Sequence, residues 1–435
     1  MDIVIVSQYL RDIENFDENN SRFVYLAKLL SEDLNNQVEI VTSDFNHATK
    51  KNFKSVGKLH NVKITALHEP GYPKNVCLKR FSSHRFLAKN IKKYLNNRKK
   101  PDICYCAVPS LAVADSVSKY CESNNVRFIV DVQDLWPEAF KMVFHVPVIS
   151  NFVFYPMKKQ ADRIYSRADR IVAVSKTYAD RAKCVNKKCE NPTVVYLGTD
   201  KNVFDEYANR SGVRIENLEN YRDSKNDSMS IISSIFTTQF VEEEVALSES
   251  NVTTSDDGPI RIAYCGTLGS SYDISCVIEA IKLLDENDKK KIQFIVMGDG
   301  PRKQEFIRQS EGLPIFFTGR LPYPDMVWVL SRCDIAVNPV RKDSAGSIIN
   351  KVGDYAMAGL PVVNTQECEE YRDLLEQYNA GINCRCANKQ DVADALKCLI
   401  DDRELRIAQG QGSLRMGMEC FDRGITYNRL VELFQ

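Results

Sequence analysis

Short apolar runs alternate along both halves of the chain with longer segments in which apolar residues recur every three or four positions. The runs have the length of buried strands, and the periodic segments have the length of amphipathic helices. A helix predicted between the first two strands places Phe23, Leu26, Ala27, Leu30 and Leu34 on one face. Such alternation is typical of parallel, doubly wound sheets. The predicted strands are Ile3–Ser7, Val38–Thr42, Lys63–Ala66, Ile103–Ala107, Arg127–Asp131, Ile171–Val174, Thr193–Tyr196, Ile260–Cys265, Gln293–Met297, Ile315–Thr318, Ile335–Asn338 and Pro361–Val363.

The alternation stops between the two halves, at residues 206–258. This stretch is rich in Ser and Thr and holds 11 acidic against 4 basic residues, a net charge of −7. A polar, acidic segment of this kind buries too little apolar surface to order itself, so we expect a mobile insertion. The pattern therefore predicts an α/β protein with two Rossmann-like, doubly wound domains, residues 1–205 and 259–419, that face a central cleft.

Composition and charge narrow the class of protein. The 435 residues are 44% hydrophobic and 27% charged, which excludes disordered and fibrous classes. The 58 basic and 58 acidic residues cancel, but residues 50–100 hold 15 Lys or Arg against one acid, Glu69, a local net charge of +14. We expect this block to meet an anionic membrane surface or an anionic acceptor. Unselective solvation is the alternative, and because no aromatic-rich motif accompanies the charge we expect no nucleic acid partner.

Cysteine usage and hydropathy bear on compartment and metal content. The 14 cysteines are scattered, and the one-residue spacing of Cys104/Cys106 and Cys384/Cys386 is too short for a structural zinc site. The chain starts on a strand pattern rather than a leader, and the apolar stretch 142–157 is interrupted by polar residues and prolines. We therefore expect a cytoplasmic protein with buried thiols and no metal. Peripheral contact with the inner face of the plasma membrane stays open.

Two predicted strands of the second domain run directly into glycine-bracketed turns. One ends in Gly298-Asp299-Gly300-Pro301-Arg302, and the other ends in Gly266-Thr267-Leu268-Gly269. Glycine turns at the carboxyl ends of parallel strands let backbone N–H groups approach a phosphate. The third glycine of the dinucleotide fingerprint is absent, which argues against a nicotinamide cofactor. Two such turns in one sheet favour a nucleotide site.

A third segment, residues 338–363, predicts a helix that begins near Ser347. Its free N–H groups would face a diphosphate, and Lys351 would reach the same group. Asp354 is suited to hydrogen bonds with a ribose diol, and Gly359-Leu360-Pro361 ends the helix. The alternative is that Lys351 and Asp354 form a weak ion pair at (i, i+3) spacing in the helix.

These three segments, in this order, resemble the carboxyl-terminal domain of family-4 glycosyltransferases of the GT-B fold, with Asn350–Tyr355 and Gly359–Val362 as the most specific part. The resemblance covers the chain apart from residues 206–258 and implies that a closing segment, residues 420–435 with a helix at Tyr427–Phe434, returns to the first domain. It is nearest to members that build bacterial capsular or O-antigen polysaccharides. The first-domain segments that carry it are Ser7–Tyr9, Asp131–Glu138, Ala168–Ser175 and Leu197–Asp200.

The resemblance implies a retaining enzyme that moves a sugar from a nucleotide diphosphate sugar, in our expectation a UDP-sugar, to a lipid-linked or membrane-proximal glycan acceptor without a metal or other cofactor. Asp134 is the expected polar residue opposite the reacting carbon. The alternative is that Asp131 or Asp134 merely caps a turn before Trp136-Pro137. The expected catalytic residues are Asp134, Lys351 and Arg302. The expected donor-binding residues are Gly266, Thr267, Leu268, Gly298, Gly300, Arg341, Ser347, Ile348 and Asp354. The expected acceptor-binding residues are Asn20 and Arg22.

Two departures from the family keep other functions open. Gly346 stands where many relatives carry the first of two glutamates, and Asn19-Asn20-Ser21 stands where relatives often have paired glycines. The alternatives are a nucleotide-sugar epimerase of the same fold and a non-catalytic subunit that binds nucleotide sugar. An epimerase needs no acceptor, whereas the basic block and the apolar segment 140–155 favour a transferase.

Overall fold

A computed structural model describes residues 1–10, 13–16, 21–75, 77–138, 147–210, 258–342, 344 and 347–435, with residues 147–153 described by their backbone only. The chain divides into two units, Met1–Leu197 with Gly424–Gln435, and Gly198–Arg423. The boundary lies before the predicted residue 205 because Thr199 hydrogen-bonds to Asp354 and the carbonyl of Ala208 accepts a bond from Arg332. Of the predicted insertion 206–258, residues 211–257 lie outside the described residues.

Seven parallel strands form the main sheet of the first unit. The spatial order β5-β2-β1-β6-β7-β8-β9 places β1 beside β2 and β6, with crossovers through helices. The hairpin β3–β4 was not predicted, because two-residue strands carry no hydrophobic pattern. The strands are β1 Asp2–Val6, β2 Gln37–Ser43, β3 Phe45–Asn46, β4 Lys51–Asn52, β5 Val62–Leu67, β6 Ile103–Val108, β7 Arg127–Val132, β8 Arg170–Ala173 and β9 Thr193–Val194.

Helices of the first unit include α1 (Arg22–Ser31), which buries its predicted apolar face but ends before Leu34, and Leu34 is 85% exposed. The closing segment joins the core of this unit through Tyr427 and Phe434, which cluster with residues of β1 and α1. The predicted closing helix Tyr427–Phe434 is instead a helical turn at Asn428–Val431 and a 3₁₀ turn at Glu432–Phe434. The remaining helices are α2 Leu78–Asn97, α3 Leu111–Asn124, α4 Pro147–Arg167 and α5 Lys176–Lys183.

The second unit contains a six-stranded parallel sheet in the order β12-β11-β10-β13-β14-β15. Its central strand β10 is almost wholly buried, as expected of a strand covered on both faces. β15 was not predicted, since its three residues Gly-Ile-Asn carry one apolar side chain. The strands are β10 Ile260–Cys265, β11 Ile292–Met297, β12 Ile315–Gly319, β13 Ile335–Asn338, β14 Val362–Asn364 and β15 Gly381–Asn383.

Helices cover this sheet, and most begin at a side-chain cap such as Asp273 or Asn388. The helix expected near Ser347 begins four residues later, at Lys351. The helices are α6 Lys201–Ala208, α7 Ile274–Leu283, α8 Glu286–Lys291, α9 Lys303–Gln309, α10 Tyr323–Leu330, α11 Lys351–Met357, α12 Glu369–Tyr378, α13 Lys389–Asp401 and α14 Arg403–Met416, the last followed by a π-helical turn at Gly417–Phe421.

The register of β10 and β11 determines where the two predicted glycine turns lie. Ile260 pairs with Ile292 and Cys265 pairs with Met297, so β10 and β11 end level with each other. The two glycine turns that follow these strands are therefore neighbours at the carboxyl edge of the sheet, where ligands bind in open α/β folds.

The described residues bear on the expectations about thiols, metal sites and membrane-spanning helices. All 14 cysteines are free, and most are buried, as predicted. Within the described ranges, no group of three His, Cys, Asp or Glu side chains could hold a metal ion. Of the helices in those ranges, none combines the length and hydropathy that crossing a bilayer requires.

Candidate functional site

The two glycine turns of the second unit are hydrogen-bonded to each other. The N–H of Gly266 donates to the carbonyl of Met297 at 2.9 Å, and the N–H of Leu268 donates to the carbonyl of Asp299 at 2.9 Å. A Cβ at Gly298 would lie 1.8 Å from the carbonyl oxygen of Gly266, so any other residue there would force the turns apart. The predicted cradle is thus formed by two backbones in direct contact.

Gly300 and Arg302 extend this contact. A Cβ on Gly300 would lie 2.4 Å from the carbonyl oxygen of Leu268, and that same carbonyl accepts a hydrogen bond from the N–H of Arg302 at 3.0 Å. Thr267, between the two bonded positions, is exposed. Five predicted donor-binding residues and one predicted catalytic residue therefore meet at this edge of the sheet.

Lys351 lies directly beneath the first turn. A Cβ on Gly266, whose φ is +141°, would lie 2.6 Å from Lys351 Nζ. The ammonium is 4.0 Å from the ring centroid of Tyr264 and 3.8 Å from that of Tyr272. The residue is only 9% exposed, and among the described residues its Nζ has no hydrogen-bond partner. Burial lowers the pKa of Lys351 to about 7.

This environment is unusual for a lysine. Buried cations are ordinarily paired, because desolvation of an unpaired charge is costly. Two aromatic faces offset only part of that cost. An anion placed at Gly266 would supply the missing partner. The sequence indicated Lys351 but not Tyr264 and Tyr272, whose spacing from Lys351 along the chain conceals their proximity.

Two arginines flank the loop that follows β10. Arg302 Nε donates to Glu305 Oε2 at 2.8 Å, and this bond raises the pKa of Arg302. Arg341 is held loosely, with Nη2 3.5 Å from Asp273 Oδ1. Among the described residues, Arg302 Nη1 and Arg341 Nε are buried atoms without hydrogen-bond partners. Both guanidinium groups therefore keep donor capacity for a ligand.

Asp354 is engaged by two protein hydroxyls. Its Oδ1 accepts from Thr199 Oγ1 at 2.8 Å and from the hydroxyl of Tyr323 at 2.9 Å. Burial raises the pKa of Asp354, and these two hydrogen bonds oppose the shift. The alternative of a Lys351–Asp354 ion pair is wrong, since Lys351 Nζ lies between aromatic rings and bonds to no described residue.

Ser347 and Ile348 are buried, but not at a helix start, because α11 begins at Lys351. The carbonyl of Ser347 accepts from Gln366 Nε2 at 2.7 Å. Gln366 also accepts from Asn338 Nδ2 at 3.2 Å, and Asn338 donates to Asn364 Oδ1 at 2.9 Å. The segment is thus positioned by buried amides rather than by a helix terminus, and Gly346 lies outside the described residues.

This row of amides was not predicted. Asn338, Asn364 and Asn383 end three adjacent strands and are paired in register. Asn364 Nδ2 continues the row to Asn383 Oδ1 at 2.9 Å. An asparagine at the end of successive strands was the available signal, but only the strand order makes the three residues neighbours.

The structure gives different outcomes for the site residues that were predicted in the first unit. Arg22 is not available to an acceptor: it is 3% exposed and its Nε bonds Asp131 Oδ2 at 2.8 Å inside the unit. Asn20 lies outside the described residues. Asp134 is half-buried, burial raises its pKa, and its Oδ2 accepts from Trp136 Nε1 at 3.2 Å. That local bond matches the turn alternative without excluding a role at the reacting carbon.

Comparison with known proteins agrees with this geometry. Residues 259–402, all within the second unit, match the family model for glycosyl transferases group 1. The sulfoquinovosyl transferase SQD2 of Arabidopsis thaliana is 26% identical over 182 residues, which are 41% of this chain and 33% of that protein. The match thus spans about a third of the length of that curated relative.

Solved structures match over the full length. HepE from Anabaena in complex with UDP has a TM-score of 0.66 at 14% identity and covers 100% of this chain and 99% of its own. WaaG, a glycosyltransferase involved in lipopolysaccharide biosynthesis, has a TM-score of 0.59 at 12% identity and covers 98% of each chain. At these identities the likeness shows the fold. The chain has the GT-B fold, and residues 259–402 of its second unit match the glycosyl transferases group 1 family.

Proposed function

We propose that this chain is a retaining glycosyltransferase that moves a sugar from a UDP-sugar to a lipid-linked or membrane-proximal glycan acceptor in the synthesis of a surface polysaccharide such as a capsule or O-antigen. The observation that carries the proposal is the buried ammonium of Lys351, which has no partner among the described residues and lies under the Gly266 turn. Such a cation stabilises an anion that arrives there.

The proposed reaction makes the diphosphate the leaving group. Its departure develops negative charge on the phosphate oxygens, and preorganised donors at that position lower the barrier. Lys351 would supply a desolvated charge, and the donors left over on Arg302 and Arg341 would supply two more. HepE, which shares the fold, has been solved with UDP and with UDP-glucose, and this supports a uridine nucleotide as the donor.

The proposed membrane contact rests on the exposed face of α2. Leu78 is 86% and Phe86 is 44% exposed on this helix. Apolar side chains amid cations are typical of helices that lie on anionic bilayers. Other cations of the block are paired internally, such as Arg98 with Asp2. The exposed cations of α2, none of which forms an ion pair among the described residues, are Lys79, Arg85, Lys89, Lys92 and Lys93.

The activity is tested with a panel of uridine and guanosine diphosphate sugars. Calorimetry identifies the nucleotide that binds, and mass spectrometry then identifies the product formed from a bacterial membrane lipid extract. Proton NMR of that product gives the anomeric configuration, which retention requires to equal that of the donor. Epimerised donor in the absence of acceptor would support an epimerase instead, and tight UDP binding without turnover on any acceptor would support a binding subunit.

Asp134 offers a test of the chemistry separate from donor binding. If its carboxylate faces the reacting carbon, Asp134→Asn lowers turnover and leaves the affinity for UDP nearly unchanged. Asp180→Asn, on an exposed face of α5, is the matched control. Unchanged turnover in Asp134→Asn would leave the residue with its turn role alone.

Membrane binding is measured by co-sedimentation with neutral phosphatidylcholine vesicles and with vesicles that contain phosphatidylglycerol. We expect binding to the anionic vesicles only, with loss at high salt and in the triple variant Lys89→Gln, Lys92→Gln and Lys93→Gln. Equal binding to both kinds of vesicle would contradict an electrostatic contact.

A further inference from the structure

A group of aromatic and basic side chains in the first unit is not used by the proposed donor site. Arg80, in the first turn of α2, lies over three rings: its Cζ is 4.7 Å from the centroid of Trp136, 5.6 Å from that of Tyr72 and 5.8 Å from that of Tyr9. Lys50 Nζ lies 4.9 Å from the centroid of the same Tyr72 ring. We call these five residues the Arg80 cluster.

The two cations of the Arg80 cluster lie close enough to repel each other, and among the described residues neither forms an ion pair with a carboxylate. The charge of Arg80 does act on Asp134, whose pKa it lowers against the larger, raising effect of burial. Lys50 Nζ donates to the side chain of Asn75, and Arg80 Nη1 donates to the backbone carbonyl of the same residue at 2.9 Å. Arg80 Nη2 donates to the hydroxyl of Tyr9 at 3.0 Å, and its buried Nε has no partner among the described residues. Burial lowers the pKa of Lys50, and the charge of Arg80 lowers it further. An anion would relieve this repulsion.

The carboxylate of Glu69 lies near the Arg80 cluster, but its oxygens bond to other side chains. Glu69 is 1% exposed, and its oxygens accept from Gln8, Ser43 and Ser83 at 2.6 to 3.1 Å. Gln8 follows β1, Ser43 ends β2 and Ser83 belongs to α2, so Glu69 holds the first turns of α2 against the carboxyl edge of the sheet. The network positions Arg80 rather than neutralising it.

His84 lies beside the aromatic rings of the Arg80 cluster without adding charge. His84 Nε2 is 3.2 Å from the hydroxyl of Tyr9, and its ring stacks on Trp136 with centroids 6.0 Å apart. Burial, followed by the charges of Arg80 and His47, lowers the pKa of His84 to about 3, so it is neutral near pH 7. The only positive charges in the cluster near neutral pH are therefore those of Arg80 and Lys50, as far as the described residues show.

We infer that the Arg80 cluster binds a phosphate group carried by the acceptor substrate. A guanidinium presents a fork of donors that fits phosphate oxygens, and a phosphate carries enough charge to engage Lys50 as well. The aromatic walls exclude water and so strengthen both contacts. This inference rests on the proposed function, since it names the class of acceptor that a transferase of this kind would use.

Tryptophan fluorescence tests the inference without any turnover. The chain has two tryptophans, Trp136 and Trp328, so a Trp328→Phe chain reports on the Arg80 cluster alone. The probes are inorganic phosphate, glucose 6-phosphate and dodecyl phosphate, with glucose and dodecyl maltoside as uncharged counterparts. We expect saturable changes with the phosphates only. Tighter binding of dodecyl phosphate would identify a lipid phosphate as the source, and tighter binding of glucose 6-phosphate a sugar phosphate.

Matched variants separate a built site from general positive charge. Arg80→Gln should weaken phosphate binding by about tenfold or more, whereas Arg163→Gln, the same change on the exposed face of α4, should alter it by less than about twofold. Lys50→Gln should give an intermediate loss, and it replaces Arg80→Gln as the test if that variant does not fold. Equal losses in the Arg80 and Arg163 variants, or no saturable signal, would overturn the inference.

Titration of UDP into the same samples by calorimetry keeps the two ideas apart. If UDP binds and phosphate does not reach the Arg80 cluster, this inference fails while the proposed donor site stands. If UDP does not bind at all, the proposed function fails whatever the tryptophan signal shows.

Discussion

Arg22 in the first unit and Lys351 in the second are both buried cations at the carboxyl edge of a parallel sheet, yet their surroundings are opposite. Arg22 bonds Asp131 and the carbonyl of Val195, at 2.8 and 2.9 Å. Burial alone would lower the pKa of Arg22, but Asp131, Tyr427 and Tyr105 together outweigh burial and raise it. Among the described residues Lys351 Nζ has no hydrogen-bond partner and lies over the faces of two tyrosines, and burial lowers the pKa of Lys351 to about 7.

The difference shows how to separate a structural cation from a ligand-binding one. A paired interior cation has its desolvation offset within the protein and contributes to the fold. An interior cation without a partner destabilises the fold until a ligand supplies the opposite charge. Such a residue is therefore a candidate for ligand binding. Arg22 and Lys351 were both predicted as site residues from the sequence. The presence of a buried carboxylate partner distinguishes the structural cation from the one proposed to bind a ligand.

The largest effect on stability should follow from replacing the paired cation, Arg22. Arg22→Met leaves the buried carboxylate of Asp131 uncompensated, so we expect the free energy of unfolding to fall by about 3–5 kcal/mol. Chemical denaturation measures it. Lys119→Met is the control: it removes an exposed ammonium from Asp115, which keeps its pair with Arg167, and it should cost about 0.5 kcal/mol. A loss below about 1 kcal/mol in Arg22→Met would remove the contrast between the two cations.

Replacing the unpaired cation, Lys351, should have the opposite effects on stability and on ligand binding. Lys351→Met removes a desolvated charge without orphaning a partner, so the free energy of unfolding should stay constant or rise. The affinity for UDP should fall by about 1.5–3 kcal/mol, or roughly 10–150-fold, because a charge-assisted contact is lost. Calorimetry measures the affinity. Lys282→Met, from an exposed pair with Glu279, should change neither quantity, and a stability loss in Lys351→Met without weaker UDP binding would contradict the assignment.

The pH dependence of UDP binding should sharpen the same contrast. The free protein loses the Lys351 proton as pH rises through about 7, whereas an unfolded lysine keeps its proton to about 10.4. If UDP requires the ammonium, binding takes up a proton above pH 7, and affinity falls by up to about tenfold per pH unit.

Calorimetry at pH 8 in buffers of different ionisation enthalpy should record uptake of about 0.9 proton. Lys351→Arg, which stays protonated, should abolish this uptake. Between about pH 7 and 10 the unfolded state holds more protons at this site, so the Lys351 contribution to the free energy of unfolding rises with pH. Arg22 should contribute no pH dependence over that window. Equal uptake in wild type and Lys351→Arg would show that Lys351 is not the group that titrates.

The smallest effect concerns a single partner of the paired cation. The hydroxyl of Tyr427 accepts from Arg22 Nη1 at 3.3 Å and donates to the carbonyl of Leu197 at 2.8 Å. Tyr427→Phe should lower the free energy of unfolding by about 1 kcal/mol and leave UDP affinity unchanged. Denaturation and calorimetry measure the two quantities. Tyr155→Phe, at an exposed tyrosine, should change the stability by less than about 0.5 kcal/mol.

Much of the fold could be predicted because strands buried on both faces are read directly as apolar runs. Ile260–Cys265 and Ile335–Asn338 match the predicted bounds, and other strands differ by a residue or two. The misses are elements too short to carry a period, such as the three residues of β15. Leu34 was placed on a buried face by its spacing, but α1 ends at Ser31, so the spacing no longer applies to it.

The candidate site was predictable in part for the same reason. The glycine turns, Lys351, Arg302 and Arg341 lie next to strand ends and motifs that are local in sequence. Tyr323, which holds Asp354, and the row of asparagines were missed because they become neighbours only through strand order. Arg22 was assigned to an acceptor because no local pattern reveals that Asp131, distant along the chain, accepts its charge.

The amino-acid sequence by itself determined the two Rossmann-like halves, the charged blocks and the glycine turns, since these depend on periodicity, composition and backbone freedom within short segments. The tertiary structure alone decided which charges are paired. Pairing depends on contacts between residues far apart in the chain, and desolvation makes a buried charge strongly sensitive to a partner within a few ångströms. Arg22 has such a partner among the described residues and Lys351 does not, and this difference supports the proposal that an anionic ligand binds at the second unit.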